Sequence, residues 1–226
     1  VYTNKLRFKR YRMQSKIILL TTAILIFVPA IFFFVCDFGQ VSIGKRTLLS
    51  LFQSVTTRTA GFNTADLSSM TEVGQAIMIL LMLMGGSPSS TAGGMKTTTV
   101  AVLLLNAFAT FRSCEDAGAF GRRFDSQVIK NAATIAMLYF VLFFFGGITI
   151  SVYEGLSLQL CLYEAASAVG TVGLTLGITP GLHILSRLIL IVLMYLGRVG
   201  GLTLIYAVVS RRNTNAKMPL EKITVG

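Results

Sequence analysis

The chain contains the same unit twice. Thr59-Ala60-Gly61-Phe62-Asn63 and Thr171-Val172-Gly173-Leu174-Thr175 each sit in a short, weakly polar stretch between long apolar segments. The offset between Gly61 and Gly173 also carries Ile79, Leu81, Met82 and Gly85 onto Ile191, Leu193, Met194 and Gly197. A repeat at fixed spacing constrains a fold more than any single motif, because both copies must adopt one architecture. Here the unit reads as apolar helix, half-length helix, glycine loop, apolar helix.

Composition places this unit in a bilayer. Hydrophobic residues make up 54% and charged residues 13% of the chain, and mean hydropathy is +0.73. A soluble domain carries about a quarter charged residues. Residues 17–36, 73–111 (interrupted), 131–152 and 182–209 are apolar over lengths at or near the ~20 residues of a membrane-spanning helix. The apolar stretches 47–57 and 158–169 are too short to span and read as re-entrant half-helices. The predicted class is an all-α membrane protein of two tandem helix–pore-loop–helix repeats. Segment 1–15 is basic, 16–112 and 128–210 are the repeats, 113–127 connects them, and 211–226 is a polar tail.

The net charge of +11 is distributed by topology. Lys5, Arg7, Lys9, Arg10, Arg12 and Lys16 precede the first apolar segment, Arg112, Arg122, Arg123 and Lys130 lie in or beside the connection, and Arg211, Arg212, Lys217 and Lys222 lie in the tail. Each repeat crosses, dips and crosses back, so these segments share one side. The other side is assigned only Lys45, Arg46, Arg58 and Arg187, beside Asp37, Asp66, Glu72 and Glu154. This positive-inside bias makes both termini cytoplasmic. No basic face remains for nucleic acid. Cys36, Cys114 and Cys161 form no C-x-x-C pair, which leaves neither a zinc site nor a disulfide framework.

The loops point to cation conduction. Backbone carbonyls that replace a hydration shell need glycine's conformational freedom and little side chain in the way. Thr59, Ala60, Gly61 and Phe62, with Thr171, Val172, Gly173 and Leu174, are the candidate filter residues; the threonine hydroxyls add oxygens at the mouth. Each half-helix directs its partially negative C-terminal end toward the loop that follows it, which favours a cation.

A second constellation breaks the 73–111 segment. Gly85, Gly86, Gly93 and Gly94, with Pro88 between them, cannot stay helical when Gly costs ~1 and Pro ~3 kcal/mol against Ala. Irregular backbone at that depth must be buried by protein or line a water-filled cavity. A phosphate-binding reading fails because Gly94-Met95-Lys96-Thr97 has the wrong register. A Ser/Lys nucleophile fails because Gly93 stands where the serine is required, and residues 73–111 hold no Asp, Glu or His. The remaining readings are a gating loop, with Gly85, Gly86, Ser87, Gly93, Gly94 and Lys96 as its key residues, or a simple kink. Arg198 follows Gly197 at matching depth, where a charge is costly. It reads as a gating barrier or as a structural arginine bonded to carbonyls freed by the break. Glu164 reads as a hydrogen-bond acceptor behind the second loop or as part of the ion path, and His183 as interfacial.

SVTTRTAGFNT, MGGSPSSTAGGMKTTT, SAVGTVGLT and MYLGRVGGLT together resemble the Ktr/Trk/HKT superfamily of potassium transporters, over about residues 5–210. The resemblance implies a chain of four such repeats around one pore, of which this sequence supplies the third and fourth. It implies K⁺ as permeant ion at residues 59–62 and 171–174, a gating loop at 85–95, Arg198 as the last-repeat arginine, and no enzymatic chemistry. It also implies a homodimer in the plasma membrane and a cytoplasmic ring of nucleotide-binding RCK subunits, through which alone a nucleotide acts. Two repeats make half a pore, so the expectation is that the N-terminal half is missing here or that two such chains assemble. A sodium-permeable or Na⁺-coupled relative, and a non-conducting half-protein, are the competing readings.

Overall fold

The structure, a computed structural model, describes residues 11–114 and 116–200. The readings for the first ten residues, for the tail 211–226 and for the end of the last helix beyond position 200 lie outside the described residues.

Helix α1 (Met13–Cys36) is apolar throughout and long enough to cross a bilayer, with Pro29 inside it. Proline has no N–H to give to the carbonyl four residues earlier, which is that of Leu25. Ser54 of α2 (Ile43–Val55) brings a donor to this turn, principally to Ile26 O. Its hydroxyl lies 2.6 Å from Ile26 O and 3.4 Å from Leu25 O. Arg46 does the same at the helix end, with Nε 2.5 Å from Phe34 O and its guanidinium 4.2 Å from the Phe34 ring. A Ser54→Ala protein is expected to lose roughly 1–3 kcal/mol, because the bent carbonyls are left without a donor. Pro29→Ala in the same chain returns one N–H and is expected to recover part of the loss. Thermal unfolding of the four proteins of that cycle checks both statements.

On the far side, Asp37 Oδ1 accepts from Thr71 N and Thr71 Oγ1, both at 2.8 Å. Thr71 caps α3 (Glu72–Leu83) by accepting from Gly74 N. Met84 to Lys96 then leave helical geometry, and α4 (Thr97–Phe111) resumes. The break closes on itself: Met95 N donates to Leu83 O, Gly85 N to Met95 O and Thr97 N to Gly86 O, at 2.8–3.1 Å. The connection is not featureless. Gly118–Ala119 (β1) and Arg122–Arg123 (β2) pair as a small antiparallel ribbon, which periodicity does not announce in two-residue strands.

Helix α5 (Ser126–Glu154) begins at Asp125, which accepts from Gln127 N, and ends at Gly155 in the left-handed region. It starts five residues earlier than the apolar run 131–152 implies, because the cap, not hydropathy, sets its start. Gly146 and Gly147 let α6 (Leu158–Val169) and α7 (Ile184–Val199) come close. A Cβ there would meet Leu193 Cδ1 at 2.6 Å and Leu162 Cδ2 at 2.5 Å. Small residues at a helix crossing are the usual means of tight packing without a hydrophobic driving force. Ser157 stands at the N-cap of α6, but its side chain caps nothing.

The core joins the two units through Phe33, Met78, Met82, Tyr139, Tyr163 and Val169. Leu20, Ile24, Phe27, Ile31 and Val35 form an exposed stripe along α1, as expected of a face that meets lipid.

Candidate functional site

Both glycine loops leave the C-terminal end of a short helix. The first follows a π turn, Thr56–Ala60, and the second follows Gly170. Their backbones share an uncommon pattern. Thr59 and Gly61 have φ of 77° and 72°, while Thr171 and Gly173 have φ of 50° and 92°. Ala60 and Val172, between them, keep negative φ. Alternating handedness turns successive peptide planes so that N–H groups gather on one side and carbonyls on the other. A β-branched residue at positive φ is a genuine outlier, and here it occurs twice at equivalent positions. Such strain persists only where the surroundings impose it.

The surroundings are specific. Thr56 O accepts from Gly61 N, and the Thr56 hydroxyl donates to Phe62 O at 2.7 Å. In the second loop Ser167 accepts from Val172 N through its carbonyl and from Gly173 N through its hydroxyl. The Phe62 carbonyl is therefore engaged, and the free oxygens of the first loop belong to residues 59–61. The hydroxyls of Thr59 and Thr171 are buried with no hydrogen-bond partner among the described residues. A buried orphan hydroxyl costs ~1–3 kcal/mol, and here two occur at equivalent positions.

The loops meet. A Cβ on Gly61 would lie 1.9 Å from Val172 O. The break between α3 and α4 lies against the second loop, since a Cβ on Gly93 would lie 2.2 Å from Thr171 Oγ1. Gly170 and Gly197 allow equally close backbone approach, to Met82 O at 2.2 Å and Val169 O at 2.0 Å. Within the break, Gly85 faces the Gly93 carbonyl, Gly86 faces Ser90, and Ser87 O accepts from Ser90. Gly94 takes φ of 69°. Lys96 Nζ donates to Ala92 O at 2.6 Å and Ser90 O at 3.3 Å. Arg198, in the last turn of α7, shares with Lys96 the wall of a 330 Å³ cavity that includes Ser90, Tyr139 and Gly197.

One sequence assignment is corrected. Arg58 was grouped with charges on the outer surface, but it is half-buried beside the break, with Nη2 3.3 Å from Gly85 O. The backbone leaves helical geometry at Arg58 and Thr59, with φ of −92° and 77°, and charge counting has no means of registering that bend. Glu164 is buried and bonded to Thr175 and Thr179 hydroxyls and to Leu176 N. That geometry favours the structural alternative, a carboxylate fastening the segment after the second loop. His183 is paired, with Nδ1 2.8 Å from Glu154 Oε2. Beyond the first loop, Asp66 accepts from Ser68 N and Oγ, which holds its carboxyl below the usual range.

Equivalent positions differ in cover. Ile79 and Met82 are buried, whereas their counterparts on α7, Ile191 and Met194, are 58% and 44% exposed; Leu81 and its counterpart Leu193 are both buried. Leu174 is buried while its counterpart Phe62 is 70% exposed. One unit caps the next, and the outer faces of the pair stay open.

Two helices long and apolar enough to cross a membrane, with paired strained loops and a broken helix, fit a membrane transport protein, and comparison gives the class and the family. The family model described as "TrkH: Cation transport protein" matches residues 5–216. The chain is 35% identical to the potassium/sodium uptake protein NtpJ of Enterococcus hirae, over 97% of this chain and 51% of that protein. It is 32% identical to Ktr system potassium uptake protein B of Bacillus subtilis, over 97% of this chain and 51% of that protein. In structure it matches the potassium transporter TrkH from Vibrio parahaemolyticus with a TM-score of 0.71 at 20% identity, over 87% of this chain and 44% of that one. The chain belongs to the TrkH family of cation transport proteins, and its place is the membrane. It spans about half the length of the curated relatives it matches.

Proposed function

We propose that this chain forms half of the ion path of a potassium uptake protein. The oxygens of residues 59–61 and 171–174 are the coordinating sites, and the 85–96 break is the gate. The observation that carries this is the paired left-handed Thr and Gly in both loops, in contact at Gly61 and Val172, with a buried, unpartnered threonine hydroxyl in each. A dehydrated cation needs such oxygens in place of water. Phe62 belongs to the loop as a support, because its carbonyl is held by Thr56.

The open faces argue for what completes the ring. If each unit caps the next, the exposed Ile191 and Met194 await a following unit, and Phe62 awaits a preceding one. The N-terminal half of the same transporter supplies both, which makes this chain its third and fourth repeats. Multi-pass insertion in the plasma membrane with cytoplasmic termini follows from the basic segments. A homodimer and a nucleotide-binding RCK ring remain readings from the family resemblance. Inward flow of K⁺ is driven by the membrane potential, at ~2.3 kcal/mol per charge per 100 mV. The printed name of the Enterococcus relative includes sodium, which keeps a sodium-permeable pathway as the second reading.

The test is rubidium uptake by the full-length transporter in bacteria lacking their own potassium importers. Gly173 has open space around it but a φ of 92°, so Gly173→Ser meets backbone strain without a clash. The left-handed cost of ~1–2 kcal/mol for an L-residue predicts a fall of about tenfold in uptake. Uptake unchanged in the variant places the ion path elsewhere, and competition by sodium in the same assay separates the two cation readings.

A further inference from the structure

We infer that Thr56 tunes the cation preference of the path by withdrawing one backbone carbonyl from it. The inference rests on the loop reading proposed above and deepens it. Thr56 touches no ion in this account; it is a positioning residue that acts through Phe62.

The two loops are held from behind by hydroxyls used in opposite senses. In the first loop the Thr56 hydroxyl donates to Phe62 O at 2.7 Å. Thr56 is 1% exposed, so the carbonyl it holds is directed into the protein. In the second loop the Ser167 hydroxyl accepts from Gly173 N at 3.1 Å and takes no loop carbonyl. The offset that carries Gly61 onto Gly173 also carries Phe62 onto Leu174 and Thr56 onto Ala168. Ala168 is buried and has no hydroxyl to give, and Leu174 O accepts from none of the described residues. Equivalent oxygens therefore differ: that of Leu174 is available and that of Phe62 is committed.

The bond is not what a threonine makes by default. A Thr in a helical turn returns its hydroxyl to a carbonyl three or four residues earlier. Thr57, its neighbour, does so with Gln53 O and Ser54 O, both at 3.2 Å. Thr56 instead reaches forward across the turn that ends at Ala60, to the far side of the loop. A carbonyl that already accepts has one lone pair committed and less field to offer a cation. The larger K⁺ needs more oxygens to replace its hydration shell, whereas Na⁺ is served by fewer. Withdrawing one oxygen at the level of Phe62 and Leu174 therefore narrows the advantage of K⁺ over Na⁺.

Rubidium and sodium fluxes through the full-length transporter, measured in the same vesicles, test this as a ratio, which cancels the amount of protein. Thr56→Val keeps the shape and removes the donor, and is expected to raise the rubidium-to-sodium ratio about fivefold. Thr56→Ser returns the donor and is expected to return the ratio of the unmodified protein. Ala168→Ser places a donor behind Leu174 O and is expected to lower the ratio by a similar factor. Ala168→Cys, close in size but a weak donor, is expected to lower it little. Damaged packing reduces flux or discrimination, so a rise in Thr56→Val is a sign that a merely structural role does not give. An unchanged or lowered ratio in Thr56→Val, or equal ratios in Ala168→Ser and Ala168→Cys, overturns the proposal; the second pair decides alone where Thr56→Val carries no flux. Gly173→Ser in the same vesicles reports the loop reading separately. Full flux in that variant is failure of the loop reading, whereas reduced flux there with an unmoved ratio in Thr56→Val is failure of this inference alone.

Discussion

Gly61→Ala is expected to abolish cation uptake by the full-length transporter. The added methyl would lie 1.9 Å from Val172 O and 3.1 Å from the Val172 carbonyl carbon. Both obstacles are backbone, so no side chain can swing away. The residue also holds a φ of 72°, where an L-residue pays a further ~1–2 kcal/mol. The loops must separate or Val172 must turn, and each outcome moves an oxygen out of the proposed site. A combined barrier increase of about 3 kcal/mol or more corresponds to a loss beyond about a hundredfold. Gly39→Ala is the control, since a Cβ there meets nothing within 4 Å, and it is expected to leave uptake intact. Rubidium flux normalised to the amount of protein in the membrane reads both. Normal flux in Gly61→Ala would mean that the two loops are not in contact in the conducting protein.

Shortening the break is expected to act in the opposite direction. Removing residues 88–91 deletes the turn in which Ser90 bonds to Ser87 but retains the closure of Gly85 on Met95 and of Thr97 on Gly86. Gly93 stays, and with it the contact beneath Thr171. If the loop obstructs the path, the shortened loop is expected to raise rubidium uptake about tenfold, equivalent to lowering a barrier by ~1.4 kcal/mol. Lys96→Met, which releases the Ala92 and Ser90 carbonyls, is expected to raise it less. A fall in uptake for the shortened loop would show that these residues build the path instead of closing it.

The helices were legible because their signals are local. Residues 158–169 match α6 at both ends, and the glycines fall in the break between Leu83 and Thr97. The duplicated loops were legible as a repeat, and their handedness follows in part from glycine. Thr59 and Thr171 in the left-handed region did not follow from sequence, since threonine disfavours it. Tertiary contacts with the break and with the opposite loop hold them there. Arg58 differs from its assignment for a related reason: the backbone bends at Arg58 and Thr59, and charge counting sees only position along the chain. The ribbon at 118–123 was missed because two-residue strands have no periodicity to read. For Glu164 the sequence leaves an acceptor role and an ion-path role both open, and its partners Thr175, Leu176 and Thr179 require the fold.

The most direct test of the account is to locate the ion. Crystals of the full-length transporter grown with rubidium, measured at the rubidium absorption edge, give an anomalous signal wherever the cation sits. The account predicts a peak among the oxygens of Thr59, Ala60, Thr171 and Val172, which disappears in Gly61→Ala. A peak confined to another part of the molecule, in protein that still takes up rubidium, would contradict it.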